Sequence, residues 1–381
     1  MPTLLLPSLG MLGMGLALYD YKKKRFSSPE DRYMQLYAKD EWTDNDMDMR
    51  LHFSPAADQV VKSEFLRRLS THLQDLGSGL HEVAEIQDDE VHFHHEHATV
   101  EALLQPRQGV HFDLSITGQI HVIWNHMQLD GVALWRILRT LFDDNPPLLP
   151  FKPTKTPPPI FPELLSTPQI AKQLLTRGVL HKGMEDGVHT GFQMWDTEQI
   201  RLLKEELNLP FNLLSSALVA QQCFERHPKA QKLNLGLTVY FPFLKARNRY
   251  GVILLKVKRG DLANICRQMT KKIPSPLKVW GSTAVQSYAM TRVPDGLFLR
   301  MMKYYRKQID VLISNVPVGT LPISIDEQNV QISCHARGLS VPYYFLLMGT
   351  RQHIHLSYTT RYSQDNDFVQ SPTRFLASIN K

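Results

Sequence analysis

His126 is followed four residues later by Asp130 and then by Gly131, in the run His-Met-Gln-Leu-Asp-Gly. An imidazole ionises near neutral pH, so a histidine held rigidly in a cleft can act there as a general base. The flanking residues supply such a setting. Ile120-His121-Val122-Ile123-Trp124-Asn125 is a short, mostly apolar run that reads as a buried strand. Val132 to Phe142 carries apolar residues at helical spacing. His126 is therefore predicted at the end of a strand and Asp130 at the mouth of a helix. A carboxylate at that point also suits a helix N-cap, and Gly131 also suits close backbone packing. The three residue types together, between strand and helix, favour a catalytic turn.

Other chemistry-bearing residues are less well arranged. His92, His94, His95 and His97 cluster in one run. In a strand, however, His92 and His94 share one face and His95 and His97 the other, so a solvated edge strand is expected and no metal site. Cys223, Cys266 and Cys334 are odd in number and far apart, which fits a reducing compartment better than a disulfide framework. No Gly-x-Ser-x-Gly turn is present, which argues against an α/β-hydrolase nucleophile.

Elements able to position His126 are spread along the chain. Ser28-Pro29-Glu30-Asp31 is a helix-start signal. Met49 to Phe53 alternates as a strand, and Val61 to Leu76 has helical spacing. Residues 146–162 hold Pro146, Pro147, Pro150, Pro153, Pro157, Pro158 and Pro159, an extended crossover. It separates an N-terminal subdomain, 28–145, from a C-terminal one, 163–381, with residues 1–27 as an arm. Beyond the crossover, helices are predicted at Thr197–Leu207, Asn212–Arg226 and Pro294–Tyr305. Strands are predicted at Leu235–Phe241, Val252–Val257, Ile309–Ser314, Val330–Cys334, Tyr343–Met348 and His353–Tyr358. This mixture predicts an α/β (α+β) pair of sandwiches.

The 381 residues carry a formal net charge of +6. No long basic run is interleaved with aromatics, so nucleic acid is not the expected partner. The bias suits a phosphate-bearing ligand, an acidic partner protein or an anionic membrane, and equally an ordinary solvated surface. Thr3 to Tyr19 is largely apolar and precedes Lys22-Lys23-Lys24-Arg25, the reverse of a secretory signal. Seventeen residues interrupted by Pro7 and glycines are marginal for a bilayer span. The readings left open are a shallow anchor on a cytoplasmic body and an ordinary N-terminal arm.

His126, Asp130 and Gly131 match the HxxxDG motif, and the chain thereby resembles the thioester-dependent acyltransferase superfamily. That group includes chloramphenicol acetyltransferase, peptide-synthetase condensation domains, plant alcohol acyltransferases and the wax ester synthase/diacylglycerol acyltransferases. Leu209-Pro210-Phe211-Asn212 is similar to a helix start of the wax ester synthases, and Ser314-Asn315-Val316-Pro317 resembles their late Ser-Asn-Val-Pro-Gly stretch. There are two departures. Asn125 stands where many relatives have a second histidine, and Val318 intervenes before Gly319.

The resemblance implies two chloramphenicol acetyltransferase-like subdomains with an active-site channel between them. It implies His126 as general base, Asp130 as structural support through an arginine, and Gly131 as motif backbone. Ser314, Asn315 and Asn125 become candidates for the oxyanion site or the channel; a turn-stabilising role serves Asn315 equally well. The donor would be acyl-CoA, with no permanently bound cofactor, and the acceptor a hydroxyl or amine, lipid-like in character. A carrier-protein thioester, or a catalytically silent scaffold, are the alternatives.

Overall fold

Residues 46–54, 64, 84–87, 90–93, 110–113, 119–125, 178–240, 250–273, 294–316, 330–336 and 340–363 are those described by the computed structural model. Strand β1, Asp46–His52, shows how its sequence alternation is used: Met47, Met49 and Leu51 are buried, while Asp48, Arg50 and His52 point to the opposite face. It runs antiparallel between two partners. One is β5, Gln119–Asn125, with Met49 opposite Val122. The other is β10, Gln331–Ala336, with Met49 opposite Cys334. Ile332, Cys334 and Ala336 thus share the apolar face of β1 and are buried with it. Strand β4, Val110–Asp113, takes the far edge of β5, giving the order β10-β1-β5-β4. A strand from late in the chain therefore completes the sheet of the early part. A separate hairpin joins β2, Ala84–Gln87, to β3, Glu90–Phe93.

The second sheet has the order β6-β12-β11-β9-β7-β8. Its strands are β6 (His189–Asp196), β7 (Lys232–Tyr240), β8 (Tyr250–Lys258), β9 (Val311–Asn315), β11 (Tyr343–Gly349) and β12 (His353–Thr360). Strand β9 runs parallel to both β7 and β11, and the other pairs are antiparallel.

Four helices are described. In α1, Thr197–Glu206, the Asp196 carboxylate caps the first turn by accepting from the N–H groups of Glu198 and Gln199. The α2 helix, Phe211–Arg226, is apolar around most of its circumference and accordingly buried from Leu213 to Val219. Its C-terminal carbonyls are closed by Arg259, whose Nη2 donates to Phe224 and His227 and whose Nε donates to Ala230. The α3 helix, Leu262–Lys272, starts at an Asp261 cap and buries Leu262, Ile265, Cys266 and Met269. The fourth, α4, spans Asp295–Arg306.

The two sheets meet through side chains. Strand β10 is an edge strand, and an unpaired edge N–H in a buried setting needs an acceptor. His355 Nδ1 accepts from Ile332 N–H at 3.2 Å, Ser357 Oγ from Cys334 N–H at 2.8 Å, and Thr359 Oγ1 from Ala336 N–H at 3.2 Å. The three acceptors lie two residues apart on one face of β12, all fully buried.

Close approach also explains Gly191. It pairs with Tyr358 across β6 and β12, and the tyrosine ring occupies the space a Cβ would need. Tyr358 is buried and packs against Phe345, so it has little room to retreat. Gly191→Ala is expected to destabilise by about 3 kcal/mol, the upper part of the overpacking range. A urea midpoint equal to that of the native chain would contradict this.

Among the described residues, no helix is long and apolar enough to cross a membrane. The N-terminal arm, the predicted helices at Ser28, Val61–Leu76 and Val132–Phe142, and the Pro-rich crossover lie outside the described residues (of Val61–Leu76, Glu64 alone is described, and it is helical). Among the described elements, three strands and a helix went unpredicted: β2, β4, β6 and α3.

Candidate active site

Strand β5 ends at Asn125, the residue immediately before His126. It is an interior strand, paired to β1 on one side and to β4 on the other. Seven residue pairs therefore hold its direction on the β1 side alone, from Gln119 opposite His52 to Asn125 opposite Asp46. Asp46 is thereby paired with Asn125, the residue that precedes the motif in sequence. The one-dimensional reading did not single it out, because the pairing partner lies far away in sequence. His126, Asp130 and Gly131 themselves lie outside the described residues.

Ser314 and Asn315 close strand β9 and do not form a free turn. Parallel pairing with β11 carries the strand through Asn315, opposite Leu347, and Val316 N–H still donates to the Leu347 carbonyl. The strand thus runs one residue beyond its predicted end at Ser314. Ser314 is buried, and its Oγ accepts from the Thr238 hydroxyl at 3.2 Å. The half-buried Asn315 donates through Nδ2 to Ser215 Oγ at 3.2 Å, while its Oδ1 is enclosed without a hydrogen-bond partner. Ser215, fully buried on α2, in turn donates to the Asn212 carbonyl at 3.3 Å, and Ser216 donates to the same oxygen at 2.6 Å. Hydrogen bonds therefore tie the two stretches that carry the resemblance in this half, Asn212 on α2 and Ser314-Asn315 on β9. Ser215 and Thr238, which hold the pair, were not among the predicted site residues. Their only sequence signal is that they are polar residues within apolar elements.

The start of β9 is anchored by Asp310, which is fully buried. Its Oδ1 accepts from the N–H groups of Val179 and Leu180, both at 2.6 Å, and its Oδ2 from Asn234 N–H at 2.8 Å. Burial outweighs these donors and the nearby Lys232 charge, and pushes its pKa up to about 6. The anchor joins the loop at 178–181 to β7 and β9, fixing the strand at whose far end Ser314 and Asn315 stand.

Burial pushes the Cys266 thiol up to about 11 and the Cys334 thiol well above its ordinary range, so neither has the character of an activated nucleophile. Among the described residues, no group of three or more His, Cys, Asp or Glu is arranged to hold a metal ion. His92 lies on β3 opposite Glu85, and His94, His95 and His97 fall outside the described residues.

No family model matches the chain, and no curated protein does. Solved structures do. The starter condensation domain of rhizomide synthetase RzmA aligns over 93% of this chain and 94% of its own, at 9% identity and a TM-score of 0.53. The first condensation domain of the calcium-dependent antibiotic synthetase, solved with a substrate analogue, aligns over 93% and 95%, at 11% identity and a TM-score of 0.53. A wax ester synthase/diacylglycerol acyltransferase from Marinobacter aquaeolei VT8 aligns over 88% and 92%, at 16% identity and a TM-score of 0.48. At such identities the likeness is one of fold: the chain has the two-subdomain α/β fold of the condensation domains, the chloramphenicol acetyltransferase-like fold.

Proposed function

We propose that this protein is an acyltransferase that moves an acyl group from a thioester, acyl-CoA, to a hydroxyl or amine of a lipid-like acceptor. The observation that carries the reading is the HxxxDG run beginning one residue past the end of β5, an interior strand of a condensation-domain fold. His126 takes the acceptor O–H or N–H proton as the heteroatom attacks the thioester carbonyl. The tetrahedral oxyanion collapses with cleavage of the C–S bond, and the proton passes from His126 to the departing thiolate, leaving an ester or amide and a free thiol. Asp130 supports the turn, and Gly131 supplies motif backbone. Asn125 lines the approach from the first half.

Asn315 is the stronger of the two candidate oxyanion donors. Its amide keeps one N–H beyond the bond to Ser215 and is half-buried at the strand end, whereas the Ser314 hydroxyl, which accepts from Thr238 and keeps its own proton, is buried. An oxyanion donor is worth about 10²–10³ in kcat. Asn315→Ala is therefore expected to lower kcat by about that factor with KM little changed. A fall in melting temperature with kcat intact would instead assign the residue to structure.

The function is tested by following thiol release from acyl-CoA donors of several chain lengths with alcohol and amine acceptors. Release that requires an acceptor supports the transferase, and release without one makes the protein a thioesterase. A second reading, a condensation-type enzyme fed by a carrier protein, is favoured by the alignment to two condensation domains. Acceptor-dependent release from acyl-carrier donors and none from acyl-CoA would select it. Saturable thioester binding without transfer from either donor would mark a silent scaffold.

A further inference from the structure

Helix α4 presents an unusual outer face. Among the described residues four large hydrophobics are exposed, and two of them, Leu297 at 45% and Tyr304 at 54%, are on this one helix. Leu297, Arg300, Tyr304 and Lys307 follow at spacings that keep them on a single face, with Lys303 beside them, and all three cations are exposed. The helix's one acid, Asp295, stands at its first position, away from the cations. The inner side is fixed: Tyr305 turns its hydroxyl to the Val252 carbonyl of β8 at 3.3 Å, and burial raises its pKa. The outer residues are therefore held outward by the anchoring of Tyr305. The other two exposed hydrophobics differ. Leu202 sits on α1 among the Glu198–Arg201–Glu205 ion pairs, and Ile273 caps α3 alone.

We infer that the outer face of α4 is a contact site for an anionic lipid surface. A leucine and a tyrosine flanked by three cations match the two layers of such a surface. The apolar groups enter the headgroup boundary, tyrosine keeps its hydroxyl in the wet layer, and the cations meet lipid phosphates. The charge on this face is of one sign, from Arg300, Lys303 and Lys307 with no acid among them, which suits a continuous layer of lipid phosphates; a protein groove that takes Leu297 and Tyr304 is the alternative the test separates. The apolar pair has no counterpart in phosphate-backbone binding to nucleic acid, where positive charge carries the affinity. This surface is independent of the acyl transfer chemistry, and it lies on a different part of the chain from the apolar N-terminal arm.

The test is co-sedimentation of the full-length chain with phosphatidylcholine vesicles, with and without phosphatidylglycerol. Binding is expected with phosphatidylglycerol, falling as salt is raised. Neutralising Arg300, Lys303 or Lys307 to Gln should weaken it by about fivefold per cation. The double variant Leu297→Ser, Tyr304→Ser should weaken it further at unchanged melting temperature, because both residues are exposed. In a Tyr304→Trp variant, brominated lipids should quench emission beyond that of the native tryptophans. Absence of vesicle binding overturns the inference. So does binding that every α4 variant retains, which would place the contact in the N-terminal arm. Binding of an acidic carrier protein that the same variants abolish, without vesicle binding, overturns it as well.

Discussion

Replacing His126 by alanine is expected to lower kcat for acceptor-dependent thiol release by about 10²–10⁴-fold, the usual contribution of a general base. The physical reason is that an alcohol oxygen is a poor nucleophile until its proton has somewhere to go. In the proposed mechanism no other group receives it. KM for the donor should change little, since the imidazole acts on the acceptor proton and not on the pantetheine arm. The native rate should depend on pH, since the imidazole must be unprotonated to act as a base, and His126→Ala should lose that dependence. Added imidazole should restore part of the rate in the variant, an effect no structural role would produce. Asn125→His, which recreates the histidine pair of many relatives, should leave kcat within a few-fold. Full activity in His126→Ala, free of contaminating enzyme, removes the basis of the functional reading.

The contrast between β1 and β6 shows what sequence alone can reveal of this fold. Strand β1 alternates apolar and polar residues, and β5 is a nearly continuous apolar run, so each was legible as a strand before its partners were known. In β6 only Trp195 is buried, and the strand is an edge interrupted by Gly191. Its conformation is imposed by pairing to β12, which no local pattern announces. Helix α3 had a legible pattern in Leu262, Ile265, Cys266 and Met269 behind an Asp261 cap, though the polar residues Asn264, Arg267 and Gln268 between them dilute it. The pairing of β10 with β1 was invisible because it joins residues about three-quarters of the chain apart, such as Met47 and Ala336. The site divides the same way. The local motif at His126 could be read directly, whereas the bond from Asn315 to Ser215 spans 100 residues and exists only in the fold.

Stability between pH 7 and pH 5 is expected to reflect two buried groups pulling in opposite directions. His355 is fully buried, and burial, with His353 nearby, lowers its pKa to about 3. Its Nδ1 must stay unprotonated to accept from Ile332 N–H. The unfolded chain therefore binds a proton that the folded chain refuses. The stability this group contributes is present above about 6.5 and is lost as pH falls, by about 2 kcal/mol at pH 5. Asp310 has the reverse sign. Its folded pKa of about 6 lies above the ordinary value of 3.8, so the folded chain takes up the proton first. Lowering the pH from 7 to 5 should thus return about 1 kcal/mol through this group. Burial also lowers the pKa of His335 and His52, which adds to the His355 side. The native chain should accordingly lose stability only gently over this range, and single variants should separate the two arms. His355→Gln keeps an acceptor for Ile332 N–H without a titrating group, so it should flatten or reverse the acid loss. Asp310→Asn retains an oxygen for Val179 and Leu180 but turns its amide N–H groups toward Asn234 N–H. It should cost about 1.5–3 kcal/mol at pH 7 and then decline more steeply than the native chain on acidification. Urea unfolding at the two pH values, compared at constant m, reads both effects. Identical acid losses in His355→Gln and the native chain would remove His355 as the source and leave the joint between β10 and β12 insensitive to pH.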